Sequence, residues 1–144
     1  MSPATAVAPA PATLRPQTPH AFEVAIAPDP VRVAHMRRIT MAFMRHWAVP
    51  IQLARDVVVV VSELATNAIQ HGHGAVRLRI RHTCNELHVE VTDDNPAPAR
   101  LQAAADDDVS GRGLFLVHVL ARGWGASEDG RTTWATFSVP AGRS

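Results

Sequence analysis

The sequence contains no lysine and no tyrosine; all 14 of its cationic side chains are arginine. A P-loop nucleotidase needs a lysine that reaches the transferred phosphate, and a eukaryote-type protein kinase needs one on its third strand, so both are excluded. A lysine Schiff base is excluded as well. Codon usage in GC-rich bacterial genomes, which favours arginine and alanine, is the simplest origin of the absence. Cysteine is reduced to Cys84 alone, which leaves no intrachain disulfide, no zinc finger and no CxxC redox pair. Neither sign of charge dominates: 13 carboxylates against 14 arginines give a net charge of +1. The basic stripe of a dedicated nucleic-acid binder is therefore missing, and no direct nucleic-acid partner is expected. Long apolar runs are missing too, the longest being Val57 to Val61, far short of a membrane span. The first cation is Arg15 and proline interrupts the only candidate apolar region near the start, so no signal peptide is expected. These exclusions point to a cytoplasmic protein without a membrane partner.

What is present is ordinary globular composition, 47% hydrophobic and 19% charged over 144 residues, enough for one domain. Residues 1–20 hold five of the eleven prolines and few bulky apolar groups, which predicts a disordered Ala/Pro-rich tail followed by a domain over 21–140. Phe22 to Ile26 alternates and suits an edge strand, stopped by Pro28 and Pro30. Asp29 then caps a helix that begins at Pro30 and runs to about Trp47, with Val33, Met36, Phe43 and Trp47 along one face. A second helix is predicted over Gln52 to Gln70. Leu53, Val57, Val60, Val61, Leu64 and Ala68 recur at helical spacing, and Gly72 and Gly74 follow as the stop.

Val76 to Arg81 and Leu87 to Thr92 alternate as a hairpin around Asn85, with Arg77, Arg79 and Arg81 facing out. Periodicity lapses from Asp93 to Ser110, the length of a lid or binding loop. A short helix from Gly113 to about Ala121 and two strands, Trp124 to Ser127 and Thr132 to Val139, complete the chain. The expected fold is an α/β (α+β) two-layer sandwich, helices on one face of a mostly antiparallel sheet.

Three groups of residues carry chemistry. Glu63 and Asn67 lie four apart on the second helix, with Asp56 on the same line. That line sits roughly 90° around from the apolar stripe, at the margin where a cleft has one wall. A carboxylate there can orient a hydroxyl, and an amide oxygen beside it can bind a hard cation such as Mg²⁺. Gly111-Arg112-Gly113 precedes an apolar helix, where glycines and free N–H groups can hold phosphate oxygens. Asp93 leaves a strand, placed to accept from the amino group of a base. Taken singly, each has a plainer reading: a solvated helix flank, a chance GxG and a turn aspartate. His71 and His73 are two apart and flanked by glycine, poor spacing for a metal pair on a helix. Asp106 to Asp108 lacks EF-hand spacing and reads as a solvated lid.

The order Glu63-Leu64-Ala65-Thr66-Asn67-Ala68, His71-Gly72, Asp93, a lid and Gly111-Arg112-Gly113-Leu114 resembles the GHKL (Bergerat-fold) ATP-binding superfamily. The absence of a dimerisation helix or phospho-acceptor module resembles its stand-alone anti-sigma-factor serine/threonine kinases. The resemblance implies ATP and Mg²⁺ as cofactors, Asn67 as the Mg²⁺-coordinating amide and Glu63 as the general base. It implies Asp93 at the adenine amino group, Gly111, Arg112 and Gly113 at the phosphates, and Thr132 beside adenine, with Thr133 an equally arguable register. It also implies a sigma factor and an anti-anti-sigma antagonist as partners, partner docking on the first helix, and possible homodimerisation. One departure is plain: Asn95 and Ala97 stand where the first glycine box has glycine. Glu63 with Asn67 favours an antagonist kinase; the eroded box favours a non-catalytic, nucleotide-responsive binding module.

Overall fold

Strand alternation decides which face of the sheet is dry. The computed structural model describes residues 12–18, 20–94 and 108–140, with backbone alone at 12, 13, 15–18 and 108–112. Along the chain it forms β1 (Ala12–Thr18), β2 (Ala21–Ile26), α1 (Val31–His46), α2 (Ile51–His71), β3 (Val76–His82), β4 (Glu86–Thr92), α3 (Asp108–Leu120), β5 (Gly123–Ala126) and β6 (Thr132–Ser138). The strands make one sheet in the order β1-β2-β3-β4-β6-β5, every neighbouring pair antiparallel. Phe22, Val24 and Ile26, then Val76, Leu78 and Ile80, then Leu87, Val89 and Val91, with Ala135 and Phe137, line the buried face. The three helices cover that face, α2 lying between α1 and α3. This is the two-layer α/β sandwich expected from the residue pattern.

The helices follow from their own stripes. α1 buries Val33, Met36, Thr40 and Met44, a spacing of three and four residues. The buried Thr40 hydroxyl is satisfied by donating to the Met36 carbonyl at 2.9 Å. Asp29 accepts from the Val31 N–H at 3.1 Å, the role expected of it at the helix start. α2 buries Ala54, Val57, Val60, Val61, Leu64 and Ala65. Each such valine or leucine contributes about 1.5–3 kcal/mol of burial, which overrides the β-preference of the valine run.

Three expectations are corrected. Residues 12–18 are not a disordered tail: they form β1, paired with β2 from Ala12↔Ile26 to Thr18↔Ala21. Composition weighs only what the segment buries itself, whereas β1 is ordered by backbone hydrogen bonds to a distant strand. Residues 1–11 lie outside those described. For the same reason β2 is interior, between β1 and β3, and not an edge strand. α3 begins at Asp108, five residues before the expected Gly113, because packing on α2 outweighs two glycines of low helix propensity. Residues 95–107, which include Asn95, Ala97 and most of the expected lid, lie outside those described.

At the end of the sheet where the β1–β2 turn, the α1–α2 corner and the β3–β4 hairpin meet, rings gather. Phe22 and Phe43 stack at 4.2 Å, and Trp47 lies 5.5 Å from Phe43 and 5.7 Å from His82. His20 closes the group, 5.8 Å from His82. Both ring nitrogens of His82 are buried without a hydrogen-bond partner. Burial first, and the neighbouring His20 second, hold the His82 imidazole below its usual range.

Two outcomes are expected. Leu78→Ala, at a fully buried position on β3, lowers the free energy of unfolding by about 2–5 kcal/mol, read from denaturant melts. The unfolded chain protonates His82 before the folded chain does, so its contribution is complete above about pH 6.5 and is lost as pH falls through the folded value. The melting temperature therefore falls on acidification below about pH 6.5, and His82→Phe flattens that dependence.

Candidate functional site

α2 is aimed by its buried stripe, and what lies beside the stripe is placed by it. Asp56, Glu63 and Asn67 are half-buried on the flank of α2, the margin expected from the helical spacing. α3 packs alongside α2, and its backbone meets Glu63 at Gly113. A Cβ at Gly113 would lie 2.6 Å from the Glu63 Oε1. The glycine is thus the space in which the carboxylate sits.

One turn beyond Glu63 comes Asn67, and α2 then ends at His71, with the Gly72 N–H donating to the Ala68 carbonyl at 2.7 Å. Gly72 is the seat of a second acid: a Cβ there would fall 2.6 Å from Asp93 Cγ and Oδ2. Asp93 is held from the other side, its N–H donating to the Arg131 carbonyl at 2.9 Å. Gly74 has φ +74° and abuts the exposed Asp94, whose N–H donates to the His73 carbonyl at 2.9 Å. Glu63, Asn67 and Asp93 are therefore brought to one end of α2, spread over about 13 Å from Glu63 to Gly72 at 1.5 Å per residue.

The other sequence candidates are placed differently. Gly111, Arg112 and Gly113 are the fourth, fifth and sixth residues of α3, not a turn ahead of it. The N–H groups that lack an intrahelical acceptor are those of the N-cap and the first three helical residues, as in α2, where the fourth residue, Ala54, already donates to the Pro50 carbonyl at 2.9 Å. By position neither Gly111 nor Gly113 keeps a free donor. Gly113 serves instead as room for Glu63. Thr132 is not brought to the site. Its hydroxyl bonds that of Thr92 at 2.9 Å, on the sheet face turned away from the helices, since Val89 and Val91 alternate with Thr92. Thr133, in register with Val91 and Ala126, shares the helix-facing side with Asp93. Sequence reasoning missed Gly72 and Gly74 as seats for acids; the signal available was alternating glycines after a helix and paired aspartates after a strand.

Among the described residues no group of three or more His, Cys, Asp or Glu side chains could hold a metal ion. Mg²⁺ commonly needs only one or two protein oxygens, its remaining positions going to water and substrate phosphates. Asn67, with its amide oxygen on the flank of α2, fits that mode.

A family model described as the histidine kinase-like ATPase domain matches residues 26–137. The chain belongs to this family. The match runs from the last residue of β2 to β6 and includes every site residue above. Membership implies ATP as the ligand of the domain. A search of curated proteins found no match.

Gly113→Ala separates stability from placement. Alanine favours a helix over glycine by about 1 kcal/mol, and the obstructing carboxylate ends a flexible side chain. The expected result is an unchanged or higher melting temperature with a shifted Glu63 carboxylate, read by its carbon NMR resonance. A melting temperature several degrees lower would show that the carboxylate has nowhere to move.

Proposed function

We propose that the protein is a cytoplasmic regulator that binds Mg·ATP at this end of α2. It phosphorylates a small antagonist protein on serine or threonine and sequesters a sigma factor in the manner of anti-sigma-factor kinases. The observation that carries the reading is the half-buried Glu63–Asn67 pair on the flank of α2 with Asp93 at its end, in a chain matched as a histidine kinase-like ATPase domain. Asp93 accepts from the amino group of adenine. Asn67 supplies an amide oxygen for Mg²⁺, which neutralises phosphate charge when bound. Glu63 takes the proton of the acceptor hydroxyl as its oxygen attacks the terminal phosphorus and ADP leaves. The N–H groups of the first turn of α3, just ahead of Gly111, Arg112 and Gly113, offer donors for phosphate oxygens, and Thr133 rather than Thr132 shares the side of Asp93. No described helix is long and apolar enough to cross a membrane. The proposed partners are a sigma factor, its antagonist protein and a second copy of the chain, with no nucleic acid bound directly.

A second reading is favoured by Asn95 and Ala97, which stand where the family's first glycine box has glycine: a nucleotide-responsive module that grips a partner without transfer. Calorimetry with ATP and labelled-phosphate transfer to candidate antagonists separate the two. Asn67→Ala is expected to weaken Mg-dependent ATP binding by roughly tenfold or more. Glu63→Ala is expected to spare binding and slow transfer by roughly 10²–10⁴-fold. Equal loss of binding in both variants contradicts the roles, and clear Mg·ATP binding without transfer to any antagonist selects the second reading.

A further inference from the structure

We propose that Gly72 is a specificity-determining position, the residue that fixes where Asp93 presents its carboxylate and so sets the preference for adenine over guanine. The inference rests on the reading of Asp93 as the acid at the base. Gly72 has φ −104° and ψ −166°, extended backbone open to any residue. Conformational freedom is therefore not what excludes a side chain. Space is: a Cβ would lie 2.5 Å from the Ala68 carbonyl oxygen and 2.6 Å from both Asp93 Cγ and Oδ2.

The acid cannot retreat with its backbone. Asp93 is tied to Arg131 by its N–H at 2.9 Å, and the preceding Thr92 is paired with Thr132 in the β4–β6 ladder. A methyl group at position 72 therefore demands two adjustments: a small backbone shift at the last turn of α2 to clear the Ala68 carbonyl oxygen, and rotation of the Asp93 side chain away from its seat. Gly74 provides an internal comparison. It has the left-handed φ that favours glycine, and it abuts Asp94 rather than Asp93. Alanine at 74 strains the backbone and crowds Asp94; alanine at 72 crowds the Ala68 carbonyl and displaces Asp93.

The two purines read the difference. A carboxylate accepts a hydrogen bond from the adenine amino group, but meets the carbonyl oxygen of guanine as acceptor against acceptor. A charge-assisted bond of this kind is worth roughly 10- to 100-fold in affinity. Gly72 is a positioning residue, since it acts on the base through Asp93.

The test is calorimetric titration of the full chain with ATP and with GTP, beside thermal melts. Gly72→Ala is expected to lower the ATP-over-GTP preference roughly 10- to 100-fold, mainly by weakening ATP. Gly74→Ala is expected to lower the melting temperature and leave the preference within about twofold. In an Asp93→Ala background Gly72→Ala is expected to change the preference no further. An unchanged preference in folded Gly72→Ala, alongside a shift in Asp93→Asn, overturns the proposal and leaves the nucleotide reading standing. An unchanged preference in Asp93→Asn instead removes the reading of Asp93, and the proposal with it. Should circular dichroism show Gly72→Ala unfolded, Gly72→Ala/Asp93→Ala decides: recovery of the fold supports the seat, and continued unfolding assigns the space at 72 to the Ala68 carbonyl alone and overturns it.

Discussion

The burial of α2 against the sheet is the constraint from which the rest of the molecule follows. Val57, Val60, Val61 and Leu64 belong to the one buried core that also holds the apolar faces of β3 and β4, and turning α2 about its axis would withdraw all four together. Because that rotation is forbidden, the flank bearing Glu63 and Asn67 has one permitted direction. α1 takes the space on one side of α2 and α3 the other. The polar flank is therefore a by-product of core packing, and core packing is far stronger than any interaction the flank makes itself.

Glycine completes the arrangement by omission. Glu63 rests where Gly113 has no side chain, and Asp93 where Gly72 has none. Their orientation depends on backbone geometry, on the room left at Gly113 and Gly72.

Much of this was legible in the residues because the relevant information is local. The stripe and flank of α2 are both written in the same twenty residues, and Asp93 is where the alternation of β4 stops. The hairpin of β3 and β4 was legible for the same reason. What failed depended on distant contacts or on parity. β1 exists only because β2 offers an edge, which nothing in its proline-rich segment announces. α3 starts early because α2 supports it. Thr132 and Thr133 differ by one residue, and one residue moves a side chain to the opposite face of a sheet. The turn at Ser127–Gly130, closed by Asp129 accepting from Ser127 and from the Arg131 N–H at 2.6 and 3.0 Å, sets that parity, and its geometry cannot be counted from composition.

β1 lies outside the matched family region, which begins at residue 26. Without it β2 would be the sheet's outermost strand, presenting Phe22, Val24 and Ile26 beside a row of unpaired amides and carbonyls. Such a strand is a template for pairing with another chain. β1 supplies a terminus that carries Pro16, a residue with no N–H to offer a further strand. β1 thus serves as a guard rail: with residues 12–18 removed and β2 kept, the protein would acquire a sticky margin and a route to self-association.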